Sequence, residues 1–254
     1  MVDVADTAYS IATIRADEDS FPIAERLFAD PYAAIFARAG AHAAEATQRF
    51  LELPFFREMV RLRTRYLDDA VRDAIAAGLR QVVILGTGFD SRGLRIGGLR
   101  AEGVTVFEVD YAAQLERKRV LLDAAGVAWP PHMIPVACDF NEAEFDRALE
   151  RDLASDGFRV GAGALFVWEG VIGYIGDDVI DRSLRFMARA GGTGTRVAFT
   201  FGSFTFDPDG VEARARQLGF SACEDTGCDE LWRRFMQGEP PPAAAMSRLG
   251  LAVV

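Results

Sequence analysis

From Gln81 onward, short apolar runs alternate with stretches whose apolar positions recur at helical spacing, so the chain switches repeatedly between the period of a strand and that of a helix. The pattern predicts strands over 81–86, 104–109, 133–138, 164–168 and 195–202, separated by helices over 90–97, 111–125, 142–153 and 177–190. Runs such as "QVVIL" and "ALFVW" are apolar at consecutive positions, as a strand covered on both faces requires. Strands and helices in alternation imply a mainly parallel sheet with a helical layer on each side. After the fifth strand come a helix over 209–218, a strand near 219–224, a helix over 228–237, a "GEPPP" turn and a last run, "SRLGLAVV". The two late strands predict an antiparallel edge. Residues 1–75 carry apolar positions at helical spacing throughout, punctuated by Pro22, Pro31 and Pro54. That is more helix than one βα unit needs, and it predicts an N-terminal helical cap (1–75) packed on an α/β core (76–254).

The first strand runs into "GTGFDSRG". Gly86 and Gly88 permit backbone angles closed to residues with a side chain, so the chain can turn tightly and bring peptide N–H groups close to a ligand. No Gly-Lys-Ser/Thr follows, which removes the P-loop reading. The dinucleotide fingerprint is only partly met, because Ser91 stands where a third glycine or alanine belongs. The next strand ends in Glu108 and Asp110, 22 and 24 residues beyond Gly86, the spacing at which an acid at the tip of a second strand accepts hydrogen bonds from a ribose. Loop and acids together point to an adenosine-containing ligand. At the end of the third strand, Asp139 and Phe140 combine an acceptor for an exocyclic amine with an apolar wall for an adenine face. The fourth strand ends in Trp168, Glu169 and Gly170, with Tyr174 a turn further on, at the edge where ligands of open α/β sheets bind.

Composition narrows the choices. A chain of 254 residues, half of them hydrophobic, can bury one large α/β core. A net charge of −10 with no basic stripe argues against nucleic acid and anionic membranes as partners. The N-terminus lacks the pattern of a signal peptide, and no segment approaches transmembrane length, so a cytoplasmic protein is expected. Cys138, Cys223 and Cys228 are odd in number and lack an accompanying ligand pair, which predicts reduced thiols and no metal site.

The stretches "RTRYLDD", "VVILGTGFDSRGLRI", "VFEVDY", "CDF" and "WEGVIGYI" resemble, in order and spacing, the leucine carboxyl methyltransferase family, including its bacterial polyketide O-methyltransferase branch. The resemblance covers roughly residues 7–205 and returns at "LGFSACEDTGCDELWRRFM". It implies a class I methyltransferase fold, a Rossmann-like sheet with one antiparallel strand near the C-terminus, and S-adenosyl-L-methionine as cofactor. Carried over by position, Arg63 would hold the cofactor's methionine carboxylate, a pairing that suits a planar guanidinium. Gly86 would lie against its methionine portion, with Gly88 a further cofactor-binding position of the same loop. Asp110 would take the ribose hydroxyls, with Glu108 as a second candidate, and Asp139 and Phe140 would frame the adenine. Glu169 would sit near the sulfonium and its amino group. Arg15 falls where the family carries an arginine in its N-terminal arm.

Read without the resemblance, Arg63 would form a surface ion pair with Asp68 or Glu58, Asp90 and Arg92 would shape the loop, and Trp168 would be core. His42 and His132, the only histidines, lie in no matched motif. Methyl transfer from a sulfonium needs alignment and exclusion of water, and a carboxylate acceptor needs no general base. The lack of histidine near the motifs therefore leans toward a carboxylate or acidic hydroxyl of a small molecule, with Glu169 and Tyr174 as the catalytic candidates. Family members carry a longer segment after the position of Asp209; the short one here predicts an acceptor pocket that is more open, or completed by a partner subunit in a homodimer. Two other readings remain: a cofactor-binding protein without turnover, and an NAD(P)-dependent oxidoreductase.

Overall fold

The computed structural model describes residues 4–40 and 51–254. Seven strands form one sheet: β1 (Gln81–Leu85), β2 (Thr105–Asp110), β3 (Met133–Ala137), β4 (Leu165–Trp168), β5 (Arg196–Gly202), β6 (Ala222–Gly227) and β7 (Ser247–Val253). Their spatial order is β3-β2-β1-β4-β5-β7-β6. β1 pairs in parallel with both β2 and β4, β4 pairs in parallel with β5, and β7 is antiparallel to β5 and β6. The five predicted strands therefore form the parallel part. The two late strands form the antiparallel edge as expected, β7 lying between β5 and the rim strand β6. β6 starts later than the pattern suggested. Gly219 takes a φ of +105° and Phe220 plugs the core, so pairing with β7 begins only at Ala222.

The helices are α1 (Val4–Asp17), α2 (Ala33–Ala39), α3 (Phe56–Ala76), α4 (Arg92–Arg95), α5 (Ala112–Ala124), α6 (Phe145–Ser155), α7 (Asp177–Gly191), α8 (Gly210–Gln217) and α9 (Cys228–Phe235). Side chains alternate across the sheet as the pleat requires. Val83, Leu85, Phe107, Val109 and Phe166 face α6 and α7. Val82, Ile84, Val106 and Val167 face α3 through Leu67, Val71 and Ala74, so apolar packing runs without a break across residue 75 into the sheet. No described helix is long and apolar enough to cross a membrane.

Two expected helices are shorter than their patterns. The N-terminal region is not helical throughout: between α1 and α2 it makes two single 3-10 turns, Glu18–Ser20 and Ile23–Glu25, and then runs extended. Pro22 and Pro31 have no N–H to give a helix. Their neighbourhood is organised instead by the buried Glu18 carboxylate, which accepts from Leu27 N at 2.6 Å and from Arg61 Nε at 2.7 Å. The helix expected over 90–97 is the single turn α4, because Gly97 and Gly98, the latter at a φ of +88°, lead the chain away. His42 lies outside the described residues.

Strand order reverses between β1 and β4: the chain moves outward through β2 and β3, then returns to start again on the other side of β1. The carboxyl ends of β1 and β4 thus flank the crevice where open α/β sheets bind ligands. Lying over the same edge is the N-terminal region, where Tyr9 and Phe36 pack on Phe89 of the glycine loop.

Candidate active site

The glycine loop is built by its neighbours. Gly86 takes a φ of +66°, and a Cβ there would run into Cγ2 of Val171, so both conformation and space exclude a side chain. Gly88, at a φ of +49°, has Ala8 of α1 above it. Its N–H donates to Asp110 Oδ2 at 2.7 Å, while Oδ1 of the same carboxylate accepts from Tyr111 N at 2.7 Å. Asp110 therefore ties the tip of β2 to the loop. Burial raises its pKa, and the two backbone donors oppose that rise.

Glu108 does something else. As a ribose candidate it is corrected by its position: its side chain is fully buried and pairs with the equally buried Lys118 of α5, Nζ to Oε2 at 2.6 Å. The ammonium also donates to the carbonyl oxygen of Asp90 and reaches Thr87 Oγ1 at 3.5 Å. The pair props the loop from below; Asp110 lies on the same face of β2, two residues further on at the strand end.

At the tip of β4, both oxygens of Glu169 are held. Oε1 accepts from Arg63 Nε and Oε2 from Arg92 Nη1, each at 2.7 Å. The expected surface pair of Arg63 with Asp68 or Glu58 is not what forms; Arg63 is buried and turns toward the sheet. Its Nη1 has the Met59 thioether at 3.5 Å, and a Cβ on Gly170 would lie 3.5 Å from its Nη2. Asp68 instead binds Arg92 Nε at 2.9 Å and Arg95 at 2.5 and 2.6 Å. Asp90 caps the turn as predicted, accepting from Arg92 N at 2.7 Å, and also pairs with the Arg92 guanidinium.

Burial by itself would raise the Glu169 pKa, but Arg92 and Arg63 overrule it and pull the value down to about 2. This corrects the role of Glu169 as a catalytic base: a carboxyl so acidic, with both oxygens occupied, is a fixed negative charge. A consequence is measurable. Because the folded pKa lies below the unfolded one, this group's contribution is present above about pH 4.5 and is lost as pH falls toward 2, on the order of 3 kcal/mol in total. Urea unfolding between these pH values should show a shallower acid decline for Glu169→Gln than for the parent protein.

The adenine candidates separate. Asp139 Oδ1 accepts from Asn141 N at 2.8 Å and from Asn141 Nδ2 at 2.9 Å, and the same amide donates to the Tyr111 hydroxyl at 2.8 Å. Phe140 is buried and meets Phe145 edge-on at 5.4 Å, so its ring belongs to the core rather than to an open wall. Tyr174 is 52% exposed, with its hydroxyl 3.5 Å from Thr7 Oγ1, and no described base lies against it. Trp168 is core, as expected. His132 precedes β3, at the amino edge, where Nε2 meets the Gly93 carbonyl at 3.0 Å.

Sequence reasoning missed the charges behind the site. Asp30 is buried beside Arg15 at 3.2 Å and accepts from Ser91 Oγ at 2.7 Å, while Arg15 Nη2 donates to the Phe89 carbonyl at 2.5 Å. Ser91, the position that departs from the dinucleotide fingerprint, thus anchors the N-terminal region to the loop. Asp30 gave no signal, and Asp68 read only as a surface partner for Arg63, since carboxylates on helical or proline-rich stretches read as solvated.

An open sheet with this strand order, with β7 antiparallel between β5 and β6, is the class I methyltransferase fold. The chain belongs to the leucine carboxyl methyltransferase family, whose model matches residues 8–188. It is 34% identical over 206 residues to a Streptomyces coelicolor protein named "Putative S-adenosyl-L-methionine-dependent methyltransferase", a match covering 78% of this chain and 69% of that one. A Mycolicibacterium gilvum protein of the same description is 38% identical over 143 residues, 56% of this chain and 44% of that protein, so the chain matches less than half of this relative. Among solved structures, a DUF574 family protein from Streptomyces avermitilis superposes with a TM-score of 0.58 at 16% identity, covering 97% of this chain and 96% of that one, a likeness of fold.

Proposed function

We propose that this protein transfers the methyl group of S-adenosylmethionine to an oxygen of a small acidic molecule, a carboxylate or an acidic hydroxyl of the kind secondary metabolites carry. The observation that carries this reading is the Glu169 site: charges fixed by two arginines, and among the described residues no histidine at the carboxyl edge of the sheet. Such a site holds and orients, and leaves the acceptor to arrive already nucleophilic.

The residues fit the cofactor. The cradle at Gly86 admits only a bare backbone, and the Arg63 guanidinium is held at Nε while its outer nitrogens have, among the described residues, only the Met59 sulfur as a partner. Those nitrogens suit a carboxylate. Asp110 keeps lone pairs for ribose hydroxyls beyond the two backbone bonds it accepts, and Asp139 with Asn141 lies at the neighbouring strand tip for the adenine. When bound, S-adenosylmethionine supplies an electrophilic methyl carbon, to which an acceptor oxygen bonds while the S–C electron pair stays on sulfur, giving a methyl ester or ether and S-adenosylhomocysteine. Arg63 and Glu169 orient; α1, lying over Gly88, helps to exclude water.

Methyl-labelled cofactor offered with panels of carboxylic acids, phenols and aliphatic alcohols tests this. Transfer should favour the acidic panel, and with a carboxylate acceptor kcat/KM should stay level between about pH 6 and 8.5, because no protein base has to lose its proton. A rate that climbs through a neutral pKa with such an acceptor would contradict the base-free mechanism. Binding of S-adenosylhomocysteine with no transfer to any panel would support a cofactor-binding protein without turnover.

A further inference from the structure

The charges at the tip of β4 close into a ring. Arg63 of α3 donates to Glu169 at 2.7 Å; the other oxygen of Glu169 accepts from Arg92 at 2.7 Å; Arg92 Nε donates to Asp68 at 2.9 Å; and Asp68 lies on α3 again, little more than a turn beyond Arg63. The helix backbone completes the circuit. Arg92 and Asp68 are 1% and 0% exposed, so neither meets a ligand from solvent. Arg92 is further fixed by Asp90 at the helix start, and Asp68 by both outer nitrogens of Arg95. Two sets of donors in the ring have no described oxygen: Arg92 Nη2, which is fully buried, and the outer nitrogens of Arg63.

We propose that Asp68 and Arg92 are positioning residues that act through Glu169 to aim the Arg63 guanidinium at the carboxylate of the bound cofactor. The inference rests on the proposed function. A buried ion cluster contributes little to stability compared with apolar side chains of the same volume, so packing alone does not account for one whose bonds converge on a single carboxylate. What the ring accomplishes is orientation. Glu169 would be free to rotate if held from one side only, and Arg63 would rotate with it. Held from both sides, and with Arg92 braced by an acid on the helix that carries Arg63, the guanidinium has one direction left for its free edge.

The test compares two ligands on two variants. S-adenosylhomocysteine carries the carboxylate, and methylthioadenosine lacks the whole amino-acid end. Asp68→Asn removes the brace and keeps the shape; Arg92→Lys keeps the charge and loses the fork that joins Asp68, Asp90 and Glu169. In both, the affinity ratio of S-adenosylhomocysteine to methylthioadenosine should fall by about tenfold or more, the loss expected when a binding group is misplaced by about an ångström. A ratio unchanged within about twofold in both variants, including equal loss for both ligands, would overturn the assignment. So would failure of both variants to fold, which would make the ring a support of the fold. The parent protein is titrated in the same series: if it fails to bind S-adenosylhomocysteine, the proposed function falls, whereas binding with an unchanged ratio removes the positioning role alone.

Discussion

Arg63→Ala should weaken S-adenosylmethionine binding by about 2 to 5 kcal/mol, while methylthioadenosine binding changes little. The size follows from where Arg63 sits. Its guanidinium is buried against Glu169, so a ligand carboxylate bound to its outer nitrogens would be desolvated, and removing the side chain would leave that carboxylate beside the fixed negative charge of Glu169. The substitution thus loses an attraction and exposes a repulsion. Calorimetric titration with both ligands checks it. Equal losses would mean that the carboxyl edge as a whole has been damaged, and no loss for either would place the methionine end of the cofactor elsewhere.

A comparable effect, on stability, is expected from Lys118→Met. Glu108 and Lys118 are both fully buried, and burial already pushes the Glu108 pKa up against the pull of the ammonium. Without Lys118 the carboxylate has to ionise unpaired or keep its proton, and the loop loses the donor beneath Asp90. The cost should be about 3 to 5 kcal/mol by urea unfolding. The double variant Glu108→Leu/Lys118→Met should recover most of it, since a buried pair is matched by apolar side chains of similar volume. A single variant that loses less than about 1 kcal/mol would mean that the pair is hydrated in solution.

These two effects also mark what the sequence made legible. The five parallel strands could be read because strands buried on both faces are apolar at every position, and a helix and a strand differ in period. The glycine loop could be read because it sits at a strand end, where backbone geometry dictates residue type, whereas Arg63, inside α3, is singled out only by the family resemblance. Partners of charges were harder. Nothing in "VFEVD" says that Glu108, one step inside the strand, pairs with Lys118 while Asp110, on the same face at the tip, reaches the loop. Phe140 read as a ligand wall because it follows Asp139, yet the turn after β3 drives its ring into the core beside Phe145. Asp68 read as a partner for Arg63 by helical proximity, but Arg92 and Arg95, brought in from beyond β1, claim it instead. Such long-range choices among like charges depend on tertiary placement, which single-chain spacing does not encode.

The central claim is that the crevice between β1 and β4 binds an S-adenosyl cofactor. Isothermal titration of the purified protein with S-adenosylhomocysteine, and separately with NADH, tests it most directly. Saturable binding of S-adenosylhomocysteine, lost in Arg63→Ala, with no heat from NADH is the predicted result. Tight binding of NADH with none of S-adenosylhomocysteine would contradict it.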